Sequence, residues 1–162
     1  MISPHMARLA VALARRGCEV TYVAQQALSE DRRRQGWSAP ELPGVTLEIA
    51  GSAEEVRALA QSIPQDSVQL CGGLRGNGLI GIAQDMFARR RVAQWVIMET
   101  VDDAGWRGVL RRLEYARLFS RWRRNLRGVL AIGERTPAWV AARGMPAERV
   151  FPVAYFLPPA TV

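Results

Sequence analysis

Lysine is absent: all 22 basic residues of this 162-residue chain are arginines, which speaks for a coding bias more than for a binding function. Histidine occurs once, as His5, which excludes multi-histidine metal sites and leaves little for metal chemistry. The two cysteines, Cys18 and Cys71, lie far apart in apolar stretches and neither has a plausible local base, so two reduced, buried thiols in a cytoplasmic protein are expected and nucleophilic catalysis is unsupported. No secretory h-region or cleavage site opens the chain, and its apolar runs are broken by charge well before the roughly 18 residues that a membrane span requires. What is present is 49% apolar residues, enough for one core, so a single domain over residues 1–162 is the expectation.

The apolar pattern changes period repeatedly. His5 to Arg16 places Leu9, Leu13 and several alanines at helical spacing, with Gly17 as a stop. Strand-like segments follow at Cys18–Ala24, Val45–Ile49, Asp66–Cys71, Ala93–Met98, Gly128–Ile132 and Val150–Phe156. Between them stand a helix capped by Ser52 with acid in its first turn, helices over Asn77–Arg91 and Pro137–Arg143, and a helical stretch beginning near Gly105. Residues 25 to 43 read as a polar, arginine- and proline-containing loop. Strands alternating with helices, most of them continuously apolar, describe an α/β fold with a mostly parallel sheet covered on both faces. Only Met1-Ile2-Ser3 precedes the first helix, so the first strand is expected to be clipped or absent.

Open α/β sheets bind ligands in the crevice beyond the carboxyl ends of their strands. That rule nominates the ends near Ser3–His5, Gln25 and Gln26, Gly72–Asn77, Glu99 and Thr100, and Gly133–Arg135. The substrate-binding candidates are His5, Gly73, Arg75, Asn77, Glu99, Thr100, Glu134 and Arg135. A neutral imidazole at His5 suits a sugar hydroxyl. Gly76, Gly78 and Gly81 satisfy G-x-G-x-x-G at the start of a helix, with Glu99 at the next strand end, so a dinucleotide-binding module is the alternative. Gly72-Gly73-Leu74-Arg75 intervenes after Cys71, however, where the fingerprint puts its first glycine directly after the strand.

Charge is concentrated. Between Trp106 and Arg127 stand eight arginines and one acid, Glu114, so the remaining residues are neutral in sum and the whole excess of +7 lies in this segment. On a helical projection Trp106, Val109, Leu110, Leu113 and Ala116 share one face, whereas Tyr115, Leu118, Phe119, Trp122 and Leu126 share another about half a turn away. The switch implies a kink, a break, or a helix that packs with one half and offers its other apolar face to something else. Arginines interleaved with Phe119 and Trp122 match interfacial helices, so Arg121, Trp122, Arg123, Arg124 and Arg127 are expected to face an anionic membrane surface. Nucleic acid is not expected as a partner, because no nucleic-acid fold signature accompanies the charge.

Two stretches resemble the family 4 glycosyltransferases of GT-B fold. The first runs from His5 through Gly17 to Val20 and is similar to that family's "H…LA..L..RGHEV" helix and second strand. The second runs from Val129 through Gly133-Glu134-Arg135, Gly144-Met145-Pro146 and Phe151 to Tyr155, similar to "vLaiGer…y…GvpeerifvvPY". The resemblance implies the Rossmann-like, three-layer αβα N-terminal half of a retaining glycosyltransferase, which binds a glycan or lipid-linked acceptor. The nucleotide-sugar donor and the family's E-x7-E motif belong to a C-terminal donor domain, expected to be missing here, for no two glutamates stand eight positions apart. No cofactor is therefore expected in this chain, which would be inactive alone, cytoplasmic and peripheral to the inner face of the membrane.

Overall fold

A computed structural model describes residues 1–74 and 78–156. It shows an α/β fold of Rossmann-like kind in which every strand pairing is parallel. The described residues fall into two compact units, Met1–Val56 with Tyr155 and Phe156, and Arg57–Ala154.

In the first unit, helix α1 (Pro4–Ala14) leads to β1 (Thr21–Ala24), a short helix α2 (Glu30–Arg34) and β2 (Thr46–Ile49). Pro4 at the first helical position supplies a preset φ where no amide partner is needed. The chain leaves α1 through Gly17 at φ +86, a conformation that costs glycine little. Strands β1 and β2 form a two-stranded sheet of their own. Ile2, Ala7 and Ala24 make a small core with Tyr22, Ala27 and Leu42 against it. Residues Met1–Ser3 form no strand; instead the Ile2 amide donates to Ala27 O at 3.2 Å and the Ser3 amide to the Tyr22 hydroxyl at 3.0 Å.

Two expectations change here. Cys18 to Val20 is not strand, and Cys18 is exposed rather than buried. Part of the expected loop is helix, because Ser29 Oγ accepts from the Arg32 amide, acids occupy the first turn and arginines the last, which suits the helix dipole despite the lack of an apolar face.

Helix α3 (Ala53–Ser62) begins with a reciprocal cap: Ser52 Oγ accepts from the Glu55 amide, while Glu55 Oε2 accepts from the amides of Ser52 and Gly51 at 2.9 and 2.8 Å. Those bonds to the charged form, the Ser52 amide foremost, hold the Glu55 carboxyl below its ordinary range.

The second unit continues through β3 (Val68–Gly72), α4 (Leu79–Arg90), β4 (Ala93–Met98), α5 (Gly105–Trp122), β5 (Leu126–Ile132), α6 (Thr136–Ala141), a single 3₁₀ turn (Ala147–Arg149) and β6 (Val150–Val153). The last strand stops short of the expected Phe156. The four strands lie in sequence order, β3-β4-β5-β6. Cys71, Val96 and Val129 stand in register across three strands and pack in one core with Phe87 of α4, Phe119 and Trp122 of α5 and Val140 of α6. A bulge between Gln94 and Trp95 of β4 and the facing β5 residues leaves Arg127 without a partner position and exposed. On the opposite face the Trp95 and Phe151 rings lie 5.5 Å apart over Gly128, where an added Cβ would meet Trp95 at 2.4 Å. The α3 end is tied to α4 by Arg90, which donates to the carbonyls of Ala60 and Ile63 at 2.5 and 2.7 Å.

Candidate functional site

Parallel strands put all their carboxyl ends on one edge, and in the second unit that edge carries most of the polar candidates. Gly73 follows β3 at φ +91, and its amide reaches Ile97 O on the neighbouring strand at 2.9 Å. Its carbonyl accepts a long bond, 3.4 Å, from the side chain of Gln84, a fully buried residue of α4. The backbone carbonyl of Gln84 in turn accepts from Gln94 Nε2 at 3.2 Å. A buried pair of glutamines thus props the β3 turn from below.

Glu99 and Thr100 leave β4 exposed to solvent. The Thr100 amide donates to Thr136 Oγ1 at 3.2 Å, and that hydroxyl donates to Ile132 O at the end of β5. One buried threonine therefore fixes two strand ends with respect to each other. Gly133, at φ +86, turns the chain out of β5 and donates to Val153 O of β6. Glu134 and Arg135 stand exposed on that turn. A shallow, open depression of about 450 Å³ lies there, lined by Gly133, Glu134, Pro137, Pro152, Val153 and Ala154. The carboxyl edge of this unit is thus a rigidly tied shelf that presents two carboxylates, a guanidinium and a hydroxyl to solvent.

The remaining candidates separate. Arg75 and Asn77 lie outside the described residues, as does Gly76. Gly78 stands before α4 at φ +87 and Gly81 lies in its first turn. His5 belongs to the first unit, at the second position of α1, where its ring stacks on Tyr155 at 4.3 Å between centroids. That contact lies within the first unit, between residues that stand far apart in the sequence.

One member of the expected anionic surface needs correction. Trp122 is 4% exposed and packs in the core, as does Phe119, so neither ring faces a membrane. Arg121 is exposed and pairs with Asp85 at 2.6 Å. Arg123, Arg124 and Arg127 are exposed. Cys71 is buried as expected, and desolvation pushes its thiol up to about 12, so it stays protonated and unreactive at neutral pH. Among the described residues there is no cluster of three or more metal-ligating side chains, and no helix is long and apolar enough to cross a membrane.

No protein-family model matches the chain, and neither a curated protein nor a solved structure matches it significantly.

Proposed function

We propose that the carboxyl edge of the four-stranded sheet is the acceptor-side surface of a retaining glycosyltransferase of GT-B type. The observation that carries the proposal is the shelf itself, where Glu99, Thr100, Glu134 and Arg135 stand exposed on turns fixed by the Thr100–Thr136 and Gly73–Ile97 hydrogen bonds. Carboxylates accept hydrogen bonds from sugar hydroxyls, and a guanidinium pairs with phosphate in a bidentate manner. An acceptor combining the two, a glycan on a lipid diphosphate, fits that set of groups. The sequence likeness of residues 5–20 and 129–155 to the family supplies the reaction class.

Calorimetric titration tests this. A sugar carried on a short-chain prenyl diphosphate should bind the chain, and Glu99→Gln with Arg135→Gln should weaken that binding about tenfold, the loss of one or two charge-assisted bonds. UDP, GDP and NAD should bind far more weakly. Tight NAD binding lost in Gly78→Ala would favour a dinucleotide site instead, and no effect of the double variant would remove the shelf as the site.

A further inference from the structure

Helix α5 resolves the switch of apolar faces by staying unbroken. It runs from Gly105 to Trp122 without a gap, about 27 Å at 1.5 Å per residue. Tyr115, Phe119 and Trp122 fill the core from one face. The opposite face of its N-terminal half stands largely open to solvent: Trp106 is 70% exposed, Leu113 63%, Leu110 58% and Val109 46%. Four large apolar side chains on adjacent helical positions form one patch, which is unlike the scattered single exposures normal for a protein surface. The row Trp106, Leu110, Leu113 continues at the same spacing as Arg117 and Arg121.

We infer that this face of α5 docks in the plane of an anionic lipid bilayer, with Trp106, Val109, Leu110 and Leu113 entering the headgroup boundary. The inference is independent of the acceptor site. Charge selects the occupant. Arg111 and Arg112 are already bonded to the carbonyls of Asp102 and Asp103, and Arg121 to Asp85. Arg107, Arg117, Arg123 and Arg124 remain exposed on or just beyond the helix. A second copy meeting this face across a two-fold axis would oppose arginines with arginines in a segment that holds the whole net charge. A bilayer bearing acidic headgroups neutralises them and accepts the aromatic and aliphatic side chains at its interface. Depth of insertion is then set by Trp106 and the leucines, not by Trp122.

Vesicle sedimentation of the whole chain tests the inference. Binding to vesicles with 30% phosphatidylglycerol should exceed binding to pure phosphatidylcholine by about tenfold or more, and should weaken as salt shortens the screening length. Changing Trp106, Leu110 and Leu113 together to serine should reduce it about tenfold. Changing Arg107, Arg117 and Arg124 to glutamine should do the same on anionic vesicles. All six side chains are exposed, so both variants should keep the wild-type circular dichroism. As a second readout, brominated lipids should quench tryptophan fluorescence in the wild type and much less in Trp106→Phe. Equal binding to both lipids, no loss in the serine variant, or a wild-type dimer that the serine variant dissociates in the absence of lipid binding would overturn it.

Discussion

Asp103, in the connection between β4 and α5, gathers more of the second unit than a loop residue usually does. Its Oδ2 accepts from Arg143 Nη2 at 2.5 Å and from Trp139 Nε1 at 3.0 Å. Arg143 stacks 3.6 Å from the Trp139 ring centre and donates to Trp139 O. Burial pushes the Arg143 guanidinium down in pKa, and Asp103 opposes that shift. Gly108 presses from below: a Cβ there would lie 1.8 Å from Asp103 O. The cluster holds the loop that carries Glu99 and Thr100, so the shelf depends on a charge it does not display. Removing one partner of a buried pair leaves an uncompensated charge, and Asp103→Ala should cost about 3 kcal/mol of unfolding free energy in urea. A change under about 0.5 kcal/mol would show that Arg143 finds solvent or another acceptor. Nothing in the sequence marked Asp103 or Arg143, since the contact joins residues 40 positions apart.

Among the elements, α5 shows what periodicity conveys and what it omits. Two apolar stripes half a turn apart were legible at Trp106–Leu113 and Tyr115–Trp122. Which stripe faced the core was not, because a projection contains the helix and none of its neighbours. Phe119 and Trp122 were drawn to the surface by the arginines beside them, whereas the apolar residues of β4 and β5 take them inside. The contrast is measurable. Phe119→Ala should destabilise by about 3–5 kcal/mol, and Leu113→Ala by less than about 0.5 kcal/mol. Similar losses at both positions would mean that the Leu113 face is covered. Helix α2 was missed for the opposite reason: its Ser29 cap and ordered charges were readable, but it has no apolar face to announce it.

At the scale of the molecule, alternation alone announced parallel strands, and the carboxyl-edge rule placed Gly73, Glu99, Thr100, Glu134 and Arg135 on one edge of one sheet. The separation of β1 and β2 into a sheet of their own was not legible, for the two are only four residues long and strand order is a long-range property that local pattern does not encode. His5 was grouped with the shelf by its place after a strand position; its partner in the structure is Tyr155 of its own unit. The shelf of the second unit is proposed to bind the acceptor. Backbone-amide NMR during titration with a sugar carried on a prenyl diphosphate tests it most directly. Saturable shifts should concentrate at residues 73, 99–100 and 133–135. Shifts confined to residues 78–81, or absent from the shelf at saturation, would contradict it.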